Sequence, residues 1–136
     1  MLLIITDRDG TLIESVPYLG RENTWKDQVK LNFPVIGFLI YVQKNYKTKT
    51  FAITNQAGVA RKYFDSIRVE EINNYVEQKL NKLGIIVDAW NYCPDVDSNY
   101  VKLNSHIDFD KRFIKKQTRR KPSIDMVIGA LNNENL

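Results

Sequence analysis

Two aspartates separated by one residue, Asp7 and Asp9, stand directly behind the apolar run Leu2-Leu3-Ile4-Ile5 and in front of Gly10-Thr11. Alternate residues of a strand point to the same side. The two carboxylates can therefore converge on one small volume at the strand's carboxyl end, where open α/β sheets bind ligands. Like charges held that close repel, and a divalent metal or a proton shared with a substrate oxygen offsets the repulsion. Metal-assisted phosphoryl transfer is the chemistry that suits such a pair, with one aspartate as nucleophile and the other as general acid and base. The same residue types also build ordinary turns. By itself the pair leaves catalysis and a simple turn both open.

Elements must position these residues, and the chain reads as strand, helix, strand, helix, strand, helix. Leu2 to Thr6 is a continuous apolar strand of the kind buried on both faces of a parallel sheet. A loop over Glu14 to Lys30 leads to a helix opened by Pro34, with Val35, Phe38, Leu39 and Val42 on its buried face. Phe51-Ala52-Ile53 is the second strand, followed at once by Thr54-Asn55-Gln56-Ala57-Gly58. Asp65 or Ser66 caps the next helix, whose apolar stripe is supplied by Ile67, Ile72, Tyr75, Val76, Lys79, Leu80 and Leu83 before Gly84. A third strand region begins at Ile85 and runs to Tyr92. Residues Pro94 to Gln117 are polar and irregular, and a last helix spans about Ser123 to Asn132. This order predicts an α/β fold with a parallel sheet, which brings Asp7 and Thr54 to the same edge.

The 136 residues fit one domain, 1–136, with one core. No apolar run approaches the ~20 residues of a membrane span, and no signal peptide is evident. The expectation is therefore a cytoplasmic protein that does not engage a membrane. The lone Cys93 excludes an internal disulfide. A net charge of +4 suits anionic substrates, sugar phosphates and nucleic acids alike.

Cleaving a phosphate monoester needs a nucleophile, a proton donor for the leaving oxygen, and positive charge on the transferring group. Asp7 suits the first role and Asp9 the second. Backbone N–H groups around Asp9 and Gly10 can hold phosphate oxygens, and Thr11 is a further phosphate-binding candidate in the same turn. The Thr54 hydroxyl can donate to the same phosphate, and Lys121 can neutralise charge shared with Asp7. Pro122 fixes the backbone beside that lysine.

These segments resemble three motifs of the haloacid dehalogenase superfamily of phosphatases: I-T-D-R-D-G-T-L at Ile5 to Leu12, I-T-N-Q-A-G-V-A-R at Ile53 to Arg61, and R-K-P at Arg120 to Pro122. The pattern is similar to the subgroup of heptose-1,7-bisphosphate and histidinol-phosphate phosphatases. A close variant occurs in polynucleotide 3′-phosphatases. The resemblance implies a Rossmann-like three-layer core and an aspartyl-phosphate mechanism. It also implies Mg²⁺ held by Asp7 and by the backbone carbonyl of Asp9. Thr54 and Asn55 would bind phosphate, Arg120 and Lys121 would serve substrate and phosphate, and Arg61 is a further positioning candidate.

The chain departs from the family in two places. The subgroup's zinc loop needs four N/S ligands. Cys93 and His106 are the only cysteine and histidine, so no zinc is expected. No acidic pair follows Lys121 to complete a Mg²⁺ site, and the last strand or strands of the core are expected to be missing. The expectation is a chain truncated before its fourth motif, a short form with weak catalysis, or one completed by a partner. The leading functional expectation is a Mg²⁺-dependent phosphatase of a small phosphorylated metabolite. A polynucleotide 3′-phosphatase and a non-catalytic phosphate-binding module are the alternatives, and the oligomeric state is left open.

Overall fold

A computed structural model describes residues 1–136. Its centre is a parallel sheet of β1 (Leu2–Thr6), β2 (Thr48–Asn55) and β3 (Ala89–Cys93), in that spatial order. Thr6 lies beside Ala52, and Thr54 beside Tyr92. All three strands therefore end at one edge. The helices are α1 (Trp25–Gln28), α2 (Phe33–Asn45), α3 (Ser66–Lys82), α4 (Ser98–Leu103) and α5 (Asp125–Asn133).

Alternation along β2 builds three layers. Ala52 faces a core made with Ile36 and Leu39 of α2 and Ile72, Val76 and Leu80 of α3. Ile53, next in sequence, faces the other way and packs with Cys93 and with Met126 of α5. The α/β expectation with a parallel sheet is what the chain adopts. Asp65 caps α3, its carboxylate accepting from the Arg68 N–H at 2.9 Å.

Several local expectations are corrected. β1 is an edge strand, and Leu2, Leu3 and Ile5 keep about two-fifths of their surface exposed rather than being buried on both faces. The buried line of α2 is Ile36, Leu39 and Val42, whereas Phe38 is exposed and Val35 half-buried. Ile67 and Leu83, at the two ends of α3, are exposed. The third strand begins at Ala89, because the Asp88 carboxylate takes the Thr50 N–H at 2.8 Å where a neighbouring strand's carbonyl would otherwise stand. Ile85 and Val87 still plug the core ahead of it. The stretch read as irregular contains α4 and a 3₁₀ turn at Lys111–Phe113, and its Val96 and Phe109 pack with Ala57 and Ala60 in a small second core. No helix is long and apolar enough to cross a membrane.

Candidate active site

β1 stops at Thr6, so the two aspartates lie beyond the strand, and pleat alternation is not what aims them. A tight turn does. The Arg8 carbonyl accepts from the N–H groups of Thr11 and Ile13, and Gly10 turns with φ +78, a region that favours glycine. The Gly10 N–H donates to the Ile13 carbonyl at 2.9 Å, and the Thr11 N–H to Arg8 at 3.4 Å. The N–H groups of Gly10 and Thr11 thus shape the turn.

Asp7 faces Lys121. The lysine Nζ lies 3.0 Å from Asp7 Oδ2 and also donates to the Ile53 carbonyl at 3.2 Å. The other Asp7 oxygen accepts from the Arg8 N–H at 2.7 Å. Lys121 is fixed from the sheet edge: its N–H donates to Asn55 Oδ1 at 2.9 Å, and Asn55 Nδ2 donates to its carbonyl at 3.3 Å. Asn55, expected at the phosphate, clamps the backbone of the lysine and lines the same cavity as Asp9.

Asp9 has different partners. Arg8 Nε and Nη2 donate to its two oxygens at 2.9 and 3.0 Å, and Gln56 Nε2 donates to Oδ2 at 2.9 Å. The same Gln56 group donates to Thr54 Oγ1 at 2.8 Å. Thr54 therefore keeps its own hydroxyl hydrogen for another acceptor. Arg8 and Gln56 were not singled out from the sequence. Arg8 sits between two candidate acids and reads as a solvated charge, yet it is fully buried.

Beside Asp9 opens a cavity of about 280 Å³, walled by Tyr18, Phe64, Tyr100 and Arg120 among others. Arg120 stacks over the Tyr100 ring at 4.8 Å, and its buried Nη1 has no hydrogen-bond partner. Arg61 does not line this cavity. It donates to the Tyr100 hydroxyl at 3.0 and 2.9 Å and to Asn104 at 2.8 Å, and so holds the wall in place. Burial, then the neighbouring Tyr100, pushes the Tyr18 phenol above its ordinary value. A larger cleft near Lys62 and Phe113 has its charges paired internally, Asp110 with Arg112 and Lys62 with Asp108.

The acids after Lys121 stay away from this centre. Asp125 begins α5, and Glu134 pairs with Lys49, near the start of β2, at 3.0 Å. Cys93 is buried, its Sγ against Thr118 Oγ1 at 3.4 Å. No group of three or more His, Cys, Asp or Glu side chains converges as a metal cage.

No protein-family model matches the chain. It is 30% identical over 99 residues to a probable D-glycero-D-manno-heptose-1,7-bisphosphate 7-phosphatase of Thermoplasma volcanium, covering 69% of this chain and 61% of that protein. The corresponding enzyme of Chlorobaculum tepidum is 31% identical over 129 residues, covering 95% of this chain and 58% of the relative. The chain thus spans somewhat over half the length of these curated relatives. The crystal structure of D,D-heptose 1,7-bisphosphate phosphatase from B. bronchiseptica, complexed with magnesium and phosphate, superposes with a TM-score of 0.74 at 21% identity, over 100% of this chain and 65% of that one. A putative haloacid dehalogenase-like phosphatase from Mesorhizobium loti gives a TM-score of 0.76 at 22% identity, over 96% of this chain and 56% of that one.

Sequence and fold together liken the chain to phosphatases of the haloacid dehalogenase superfamily, whose Rossmann-like fold it shares. Its aspartate turn, Thr54 and Lys121 lie at the carboxyl edge of the parallel sheet.

Proposed function

We propose that the chain hydrolyses a small phosphorylated sugar, with Asp7 as nucleophile and Asp9 as general acid and base. The observation that carries this reading is a cavity lined by both Asp9 and Arg120, whose buried Nη1 has no hydrogen-bond partner. A buried guanidinium nitrogen without an acceptor is costly, and a substrate oxygen, anionic or hydroxyl, would satisfy it. A heptose bisphosphate, named for the relatives, offers such an oxygen away from the reacting phosphate. The volume suits a small molecule rather than a nucleic acid strand.

In this mechanism an Asp7 oxygen attacks phosphorus and the bond from phosphorus to the sugar oxygen breaks. That oxygen takes the proton from Asp9. An aspartyl-phosphate forms on Asp7. Asp9 then takes a proton from water, whose oxygen attacks the same phosphorus, and phosphate leaves with Asp7 restored. Lys121 neutralises charge on Asp7 and the phosphoryl oxygens, and the Thr54 hydroxyl donates to one of them.

The donor set fits Mg²⁺. Asp7 and the Asp9 carbonyl offer hard oxygens, and magnesium commonly binds through one or two protein oxygens while keeping water and phosphate ligands. Bound there, it would add positive charge at the transferring group.

Phosphate release from heptose and other sugar phosphates, histidinol phosphate and a 3′-phosphorylated oligonucleotide, with and without Mg²⁺, tests the reading. Release from sugar phosphates that requires Mg²⁺ and vanishes in Asp7→Asn is expected. Full activity in Asp7→Asn, or no release from any ester, would refute it.

A further inference from the structure

Arg8 is an expensive residue to bury. Removing a guanidinium from water carries a penalty that even a well-made ion pair only roughly repays, and apolar replacements of similar volume are often neutral or stabilising. Stability alone is therefore a poor reason for a fully buried arginine at this position. Its contacts point elsewhere. Nε and Nη2 form a two-pronged pair with the Asp9 carboxylate at 2.9 and 3.0 Å. Nη1 reaches across to the middle of α3 and donates to Asn73 Oδ1 at 2.9 Å. Asn73 is itself buried. The guanidinium is thus held between a packed helix and one carboxylate, and planar two-pronged pairing fixes orientation as well as distance.

We propose that Arg8, anchored by Asn73, is a positioning residue that sets the plane of the Asp9 carboxylate and selects the oxygen that carries its proton. An ionised carboxylate has about four acceptor sites. Oδ2 uses two, for Arg8 and Gln56, and Oδ1 uses one, for Arg8. Oδ1 is left with the open site. The proton passed to the leaving oxygen, and later taken from water, is held there. Without Arg8 the carboxylate turns about its side-chain bonds, and the acid loses aim while nucleophile, lysine and threonine remain.

This inference rests on the phosphatase reading, and leaving-group chemistry separates the two. An alkyl phosphate needs its oxygen protonated as the bond breaks, whereas p-nitrophenolate leaves unaided. Arg8→Met and Asn73→Ala are compared with the wild type on a sugar phosphate and on p-nitrophenyl phosphate. General acid catalysis contributes about 10²- to 10⁴-fold. Arg8→Met is expected to lower kcat about 100-fold on the sugar phosphate and less than about tenfold on the aryl ester, with KM within about threefold. Asn73→Ala should show the same asymmetry at smaller size, which covers the case in which Arg8→Met does not fold. Equal losses on both esters, or none, overturn the proposal. A wild type inert toward both esters overturns the phosphatase reading instead. Crystal structures of the two variants then decide the positioning role: Asp9 in a new rotamer supports it, and an unmoved Asp9 overturns it.

Discussion

Replacing Lys121 by methionine separates chemistry from stability more cleanly than any other single change at this site. Methionine keeps most of the side chain's apolar length and removes the charge. The lost contacts are the 3.0 Å pair with Asp7 Oδ2 and the 3.2 Å hydrogen bond to the Ile53 carbonyl. Two unit charges at that distance attract by about 5.5 kcal/mol at an effective dielectric constant of about 20. About a quarter of the lysine side chain and two-fifths of the aspartate side chain remain in water, however. Solvent screening and side-chain entropy bring the ground-state worth of such pairs to about 0–1 kcal/mol. The melting temperature should therefore fall by no more than a few degrees. In the proposed transition state the ammonium would face Asp7 and the phosphoryl oxygens together. Losing one preorganised donor to developing charge costs about 2.7–4 kcal/mol, or 10²- to 10³-fold in kcat. The assay is phosphate release at saturating sugar phosphate, paired with calorimetric melting of the same preparation. A kcat within about threefold of wild type would refute the catalytic role. A collapse in melting temperature with activity per folded molecule intact would show that Lys121 serves structure.

Three further outcomes follow from the packing and titration. A Cβ on Gly58 would lie 2.3 Å from Phe64 Cζ, so Gly58→Ala must push that ring. Phe64 lines the cavity beside Asp9, so KM should rise, alongside a destabilisation of about 1–3 kcal/mol measurable by urea unfolding. Leu80 is fully buried between α3 and the sheet, and Leu80→Ala should cost about 2–5 kcal/mol in the same assay. Tyr18 has a raised pKa in the folded state, chiefly from burial. Its contribution is fully present below the unfolded value of 10.0 and is lost as pH rises through the higher folded value. Melting curves above pH 10 should fall more steeply for wild type than for Tyr18→Phe.

The sequence makes the aspartate turn legible because D-x-D-G-T follows a strand, and Thr54 and Lys121 because each stands beside a recognisable element boundary. The partners of those residues are harder to read. Asn55 clamps Lys121 across 66 positions of chain, and Arg8 reaches Asn73 across 65. Neither spacing has a local period. The reason given for the convergence of Asp7 and Asp9 was also incomplete: strand alternation ends at Thr6, and the side chains are aimed by separate cations. Apolar runs misled in a second way. Leu2-Leu3-Ile4-Ile5 reads as buried on both faces, because a run records composition and not whether another strand lies alongside. Tyr100 was passed over because its helix is six residues long inside a polar stretch.

The pairing of charges bears directly on what the site needs from a metal. Asp7 is matched by Lys121 and Asp9 by Arg8, so the four groups cancel pairwise, and their mutual repulsion is already offset without an ion. A phosphate ester arriving with nearly two negative charges meets a centre with no positive surplus apart from Arg120, which lies on the cavity wall. On the proposed mechanism, magnesium would serve less to hold two aspartates together than to make the site attractive to the substrate. Phosphate titrations of wild type and of Asp7→Asn, which cannot form the aspartyl ester, each with and without Mg²⁺, decide between these roles. Replacing Asp7 removes one negative charge and leaves Lys121 unmatched. Inorganic phosphate should therefore bind Asp7→Asn appreciably without Mg²⁺, and wild type only with it. If wild type binds phosphate equally well with and without Mg²⁺ in titration calorimetry, the charge argument fails.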